Sequence, residues 1–207
     1  MPHRNRVTPY GDIVAIPDRG TLTGNRGVLH DARGEHRRDW QVRRWIACRL
    51  EFNSRRRQLR RPGRWTELFF LDEATALAAG HRPCAECRRA DYKRWQAAWP
   101  QEDTSADAMD RVLHADRLDG RAKRRFEARL GGLPDGVIVE REGRPWRLEG
   151  GVLHRWTPAG YAESAQPGPR ASVIVLTPAV TVAVLAAGYK LPFCPPRPIK
   201  SHVGGDR

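Results

Sequence analysis

Residues 67–99 read ELFFLDEATALAAGHRPCAECRRADYKRWQAAW, and the rest of the chain is organised around this stretch. The apolar run at its start, residues 67–71, is typical of a short strand. Asp72 is a suitable N-cap for the alanine-rich segment that follows, in which apolar residues recur at helical spacing. Gly80 is a suitable C-terminal stop. The stretch is therefore predicted to begin with a short strand at residues 67–71, followed by a helix that ends at Gly80.

Two cysteines come directly after this helix, at the spacing Cys-x-x-Cys. A tight turn between two helices brings the sulfurs of Cys84 and Cys87 to the same side, where both can bind one metal ion, zinc being the usual one. The next helix carries Tyr92, Trp95 and Trp99 on one face and basic residues elsewhere. We therefore expect one side of this helix to pack and the other to be cationic.

The run FFLDEATALAAGHRPCAECRR, residues 69–89, resembles the second half of the Ada-type metal-binding domain. That family is a small zinc module of DNA alkylation repair, which also occurs fused to some nucleases. The matching residues are Phe69, Phe70, Gly80, Arg82, Pro83, Cys84 and Cys87. The resemblance extends over roughly residues 67–95, and it implies a zinc-bound helical segment that works on DNA. The family's first ligand pair does not match, because only one cysteine precedes the aromatic strand here.

That cysteine is Cys48, in the segment WQVRRWIACRLEF at residues 40–52. Alternating apolar residues predict one long strand there. Three thiolates leave a tetrahedral zinc site one ligand short. The remaining candidates are His30, His81 and Cys194, and we favour His30 because its strand is expected to neighbour that of Cys48. The predicted ligand set is Cys48, Cys84, Cys87 and His30.

The chain has 37 lysines and arginines against 24 aspartates and glutamates, a formal net charge of +13. Such an excess attracts polyanions and makes their binding salt-sensitive, so nucleic acid is the expected partner, DNA more than RNA. Six arginines fall in the predicted loop at residues 53–64. The predicted phosphate contacts are Arg26, Arg55, Arg56, Arg57, Arg60, Arg61, Arg64, Arg82, Arg88, Arg89 and Arg94.

The pattern of elements favours an α+β fold with a mixed or antiparallel sheet and an Ada-like zinc-bound helical segment. We expect residues 1–100 to form the zinc-binding, basic region. Residues 101–207 then form an α+β region that is either separate or part of the same domain. Within it, we expect a helical region over 109–130, three strands in 136–156, a loop at 162–170, a strand at 172–176 and a helix at 178–188.

Three functions are compatible with these residues. The leading hypothesis is a zinc-containing, nucleic-acid-binding protein of DNA repair, modification or defence, which requires no catalysis. The second is a metal-dependent nuclease that uses Asp110 and His114, four residues apart on one helix face, or His30 and Asp31. The third follows from the resemblance, in which Cys48 is a zinc-bound thiolate that accepts a methyl group from DNA. Whether the protein is an enzyme stays open.

No stretch of the sequence has the apolar length needed to cross a bilayer, and the N-terminus lacks the core of a signal peptide. We therefore expect a cytoplasmic protein without a membrane partner, in which cysteines bind metal more readily than they form disulfides. The sequence does not indicate an oligomeric state.

Overall fold

The computed structural model describes residues 2–53 and 63–193, and this part of the chain is mainly β-structure. The strands are β1 (Arg4–Val7), β2 (Ile13–Ala15), β3 (Leu22–Asn25), β4 (Ile46–Arg49), β5 (Leu68–Phe70), β6 (Arg82–Pro83), β7 (Leu118–Asp119), β8 (Ala122–Lys123), β9 (Phe126–Arg129), β10 (Ile138–Arg141), β11 (Arg144–Glu149), β12 (Val152–Thr157), β13 (Gly160–Ala165) and β14 (Ser172–Val175). The α-helices are α1 (Glu73–Ala78), α2 (Arg89–Ala97), α3 (Ala106–Arg117) and α4 (Ala179–Ala186).

The first sheet gathers the N-terminal strands in the order β2-β1-β5-β3-β4-β6. It is mixed, since β1 runs parallel to β5 and β4 runs parallel to β6, whereas the remaining pairs are antiparallel. Ala47 on β4 is paired with Pro83 on β6. The residues that follow each of them, Cys48 and Cys84, are therefore brought side by side.

The second sheet is antiparallel throughout and has the order β13-β12-β11-β10-β14-β9. Strands β7 and β8 form a separate two-stranded hairpin directly after α3. Tight turns at residues 142–143 and 150–151 join β10, β11 and β12, which are the three strands predicted in 136–156. The strand at 172–176 and the helix at 178–188 are also confirmed, as β14 and α4.

The expected α+β class is wrong, because the described chain is mostly β-structure, with three sheets and four α-helices. Two local errors contribute to the difference. The helix predicted to continue over residues 121–130 is instead β8 and β9, where Phe126 pairs with Val175 of β14. The loop predicted at 162–170 is strand as far as Ala165, which pairs with Leu153 of β12. In both places, pairing with a distant strand overrides the local pattern.

The long strand predicted over residues 40–52 is also wrong, since β4 covers only Ile46–Arg49. Its antiparallel partner β3 has four residues to pair with, Leu22–Asn25, so the ladder ends there. Beyond the ladder, Leu50 is 45% exposed, although the alternating pattern places it on the buried face. Strand length here is set by the partner strand.

The largest apolar core joins residues from both sides of position 100. Trp95 and Leu77 from the N-terminal region pack with Val139, Leu153 and Val184. A buried hydrogen bond from Trp156 Nε1 to Thr75 Oγ1, at 2.9 Å, also links the second sheet to α1. The division at residue 100 stays a prediction. Among the described helices, none combines the length and apolar character needed to cross a bilayer.

Candidate metal centre

Three cysteines meet where β4, β6 and the turn before α2 come together. Cys48 lies on β4, Cys84 follows β6, and Cys87 lies in the turn that leads into α2. Their sulfur atoms are all within 4.8 Å of one another, and the three residues are buried, with Ile46 and Phe52 packed against them. The backbone N–H of Cys84 donates to the carbonyl of Ala47 at 3.0 Å, which fixes the turn to β4.

The thiols share hydrogen bonds, which separates their acidities. Hydrogen bonds from Cys48 and Cys87, supported by the backbone N–H groups of Cys87 and Glu86, lower the pKa of the Cys84 thiol. Hydrogen bonding to Cys84 and Cys87, together with burial, raises the pKa of Cys48. Cys84 is therefore the first of the three to ionise, and a bound cation would favour the thiolate form of all three.

The donor set fits a thiolate-binding metal ion. Sulfurs that share one tetrahedral zinc lie about 3.8 Å apart, as follows from a Zn–S bond of about 2.3 Å. The observed cluster needs only a small contraction to reach that spacing. Soft sulfur donors suit zinc, copper(I) or iron–sulfur chemistry, so the residues alone leave the metal's identity open. Within residues 2–53 and 63–193, the group contains three ligands. Cys194 lies outside the described residues.

His30, the predicted fourth ligand, is not a member of this cluster. Its Nδ1 atom is hydrogen-bonded to Thr66 Oγ1 at 2.6 Å, and its backbone forms a bridge with His36. The segment after β3 folds onto itself and onto the residues before β5, which carries His30 away from β4. His81 is also elsewhere, buried against Trp45 and Phe70 with ring centroids 5.3 and 4.6 Å away.

Comparison of the chain with protein-family models, with curated proteins and with solved structures found no match. The likeness to the Ada-type module is therefore a resemblance of residues 69–89. What supports a metal site independently of that resemblance is the convergence of Cys48 with the Cys84 and Cys87 pair.

Asp110 and His114 lie on α3, but each is engaged by an arginine. Asp110 is buried and accepts two hydrogen bonds from Arg82, at 2.9 and 2.8 Å. His114 accepts from Nη2 of Arg117 at 2.9 Å and lies edge-on to Trp40. Burial and the neighbouring cations lower the pKa of His114. Asp110 therefore serves as the counter-ion of Arg82.

In the alternative pair, His30 is hydrogen-bonded to Thr66 and Asp31 is engaged in a local turn. The carboxylate of Asp31 accepts backbone N–H groups of Arg33 and Glu35 and the side chain of Arg37. These hydrogen bonds, the one from Glu35 first, lower the pKa of Asp31. The arrangement is that of a side chain holding its own loop.

The predicted phosphate-binding arginines divide into buried and exposed groups. Arg82 and Arg88 are buried, Arg82 with Asp110 and Arg88 with Glu73 at 2.6 Å and Asp91 at 2.8 Å. The side chain of Arg94 is exposed and paired with Asp91. Exposed positions also include Arg64 and Arg89. The other loop predictions, Arg55, Arg56, Arg57, Arg60 and Arg61, lie outside the described residues.

Arg26 is also buried, and its surroundings contain residues that the sequence analysis did not select. Its guanidinium carbon lies 4.0 Å from the ring centroid of Trp45, and that of Arg117 lies 3.8 Å from the same indole. No local signal in the sequence connects these three positions, because Arg26 directly follows β3, Trp45 directly precedes β4 and Arg117 ends α3, so they meet only in the folded chain.

Proposed function

We propose that the protein is a zinc-containing nucleic-acid-binding protein, which binds DNA in preference to RNA through its phosphate backbone. DNA repair, modification and defence are the processes that such an activity would serve. The observation that carries the proposal is that the three cysteines converge, since two basic segments of the sequence begin directly after Cys48 and after Cys87. A metal ion bound by the cysteines would hold the first residues of the two segments close together.

The first segment leaves the cluster directly after Cys48. Arg49 is exposed, and the arginine-rich run that follows extends to Arg64, which is also exposed. The second leaves it after Cys87 and continues as α2, where Arg89 and Lys93 are exposed. A metal that joins Cys48 to Cys87 would thus fix the starting points of both segments relative to each other.

The chemistry of these segments suits phosphate. Arginine binds phosphate oxygens in a bidentate manner and keeps its charge at every physiological pH. Contacts of this kind hold the backbone without reading the base sequence. The net charge of +13 adds long-range attraction for a polyanion.

The proposal assigns no reaction to the protein. Asp110 and His114, on which a nuclease would depend, are bound by Arg82 and Arg117. Cys48, the methyl-accepting candidate, is only 4% exposed. We therefore give the cysteines a structural role.

The test measures how binding to a 20-base-pair DNA duplex with 5′-hydroxyl ends depends on salt concentration. Fluorescence anisotropy of the labelled duplex reports the binding. We expect the logarithm of the binding constant to fall linearly with the logarithm of salt concentration. Arg89→Ala should weaken binding at all sequences and reduce that slope by about one. Cys84→Ser should weaken it further. An RNA duplex of the same sequence measures the preference for DNA.

Arg144→Ala is the matched control, because Arg144 is also exposed but lies on β11 in the second sheet. It should bind as the wild type does. Absence of salt-sensitive binding in the wild type, or equal losses in Arg89→Ala and Arg144→Ala, would contradict the proposal.

A further inference from the structure

A cavity of about 400 Å³ opens between the β1–β2 hairpin, the segment that includes Trp40 and Trp45, and the residues that follow α3. Its lining is strongly cationic. The basic side chains are Arg4, Arg26, Arg117, Arg121, Lys123 and Arg125. Asp12 and Asp39 are the acidic lining residues, and both are exposed.

Arg26 lies in the wall of this cavity and is 1% exposed. Its Nη1 atom donates to the carbonyl of Gly11 at 2.9 Å, and its Nε atom to His81 Nε2 at 3.4 Å. Both acceptors are neutral, since burial and the Arg26 and Arg117 charges hold the pKa of His81 well below its usual value. Nη2 is buried and has no hydrogen-bond partner among the described residues.

Arg117 is the second buried cation and is also 1% exposed. It donates to the carbonyls of Gly80 and Arg43, at 2.8 and 2.6 Å, while its Nε atom lacks a partner within the described chain. Burial, and then repulsion from Arg26, lowers its pKa to about 8. Buried charges without a matching anion are costly, so these two guanidinium groups are set up to receive one.

Lys123 supplies a third cation at the same place. The residue is half-buried, but its ammonium group is enclosed and donates to the carbonyl of Ala78 at 2.5 Å. Burial, with repulsion from Arg26 and Arg117, lowers its pKa to about 7. Three cations therefore converge on one wall, and three further arginines lie around them.

We propose that this cavity binds a phosphate monoester group. A monoester carries a charge of about −1.5 to −2 at neutral pH, which suits three converging cations better than the single charge of an internal phosphodiester. Two guanidinium groups supply planar donors for its oxygens. The indole of Trp45 is buried beneath both guanidinium groups, so it is not offered to a base.

This site is separate from the cysteine cluster, and the proposal does not depend on the nucleic-acid function above. Two sources present the same chemistry, a free nucleoside monophosphate and the phosphorylated end of a strand. The experiment distinguishes them with matched pairs of probes, which are 5′-AMP against adenosine and a single-stranded octanucleotide with a 5′-phosphate against the same strand with a 5′-hydroxyl.

Binding is measured by titration calorimetry at pH 7 in wild type, Lys123→Met, Arg121→Ala and the control Arg144→Ala. Lys123→Met removes a poorly solvated charge and keeps the apolar stem, so the fold should persist, which circular dichroism verifies. We expect the phosphorylated member of at least one pair to bind at least tenfold more tightly, with that gain reduced about tenfold in Lys123→Met and unchanged in Arg144→Ala.

A gain confined to 5′-AMP would make the ligand a free nucleotide, and a gain confined to the octanucleotide would make it a strand end. Both results support the proposal. It is overturned if the phosphate adds no affinity in either pair, or if Lys123→Met and Arg121→Ala both keep the full gain. Affinity for the 5′-hydroxyl duplex is measured in parallel. If the duplex binds but the phosphate adds no affinity in either pair, the cavity proposal fails while the proposed nucleic-acid binding stands.

Discussion

Asp110 holds Arg82 through both carboxylate oxygens, with N–O distances of 2.9 and 2.8 Å, and both side chains are almost fully buried. Asp110 comes from α3, and Arg82 lies two residues before Cys84. The pair therefore connects the C-terminal region to the turn that carries the candidate metal ligands.

Asp110→Ala should lower the free energy of unfolding by about 3 kcal/mol, because it leaves Arg82 buried without its counter-ion. Urea unfolding measures this. The matched control is Asp107→Ala on the same helix, whose carboxylate is largely exposed and lies 3.3 Å from Arg44. Exposed pairs of this kind contribute about 0.5 kcal/mol. Equal effects of the two substitutions would contradict the assignment.

Asp72→Ala should destabilise the protein by about 2 kcal/mol, more than loss of a simple helix cap. Its Oδ1 atom caps α1 by accepting from the backbone N–H of Thr75 at 2.8 Å, and its Oδ2 atom accepts from Tyr161 at 2.7 Å. Ser105→Ala, which removes the longer 3.4 Å cap of α3, is the comparison and should cost about 0.5 kcal/mol. A smaller loss in Asp72→Ala than in Ser105→Ala would count against this role.

Gly80→Ala should also destabilise, and it should disturb Arg117. Gly80 ends α1 with a φ of 89°, a conformation that favours glycine, and an added Cβ would lie 2.5 Å from Cδ of Arg117. We expect a loss of about 2 kcal/mol in urea unfolding. Gly143→Ala is the control, since its φ of 70° is similar but no atom lies within 4 Å of the added carbon. Steric conflict at Gly80 is refuted if the two variants lose equal stability.

How much the sequence could predict depended on the range of the interactions involved. The cap at Asp72, the turns at 142–143 and 150–151 and the helix after Pro178 were predictable, because each is encoded by neighbouring residues. The helix predicted over 121–130 failed because its pattern of arginine and alanine favours helix locally, whereas pairing of β9 with β14 decides the structure.

The candidate sites show the same distinction between local patterns and long-range contacts. Cys84 and Cys87 were evident from their spacing, and Cys48 joined them through the pairing of β4 with β6. His30 lies outside this cluster because β3, the strand that pairs with β4, ends at Asn25, five residues before it. The convergence of Arg26, Arg117 and Lys123 requires contacts between positions about 90 residues apart, which no local pattern reports.

Lys123 makes stability depend on pH. Its pKa is lowered to about 7 in the folded protein and is about 10.4 when unfolded, so between these values the unfolded chain holds more protons. Stability from this group therefore rises as pH increases from 7 towards 10. The charged groups that face it are Arg26, Arg117, Arg125 and Asp116.

In Lys123→Met this contribution is absent, so the difference in unfolding free energy between variant and wild type should shrink between pH 7 and pH 9. The comparison isolates Lys123, because Arg26 and Arg117 are present in both proteins. Urea unfolding at the two pH values provides the measurement. A difference that is independent of pH would show that the Lys123 ammonium is not desolvated.

Elemental analysis of the purified chain measures whether Cys48, Cys84 and Cys87 hold one metal ion. We predict about one zinc per folded wild-type chain, lost in both Cys48→Ser and Cys84→Ser and retained in Arg144→Ala. A wild-type chain that is folded but contains no stoichiometric metal would exclude a metal site and leave the three cysteines as packing residues.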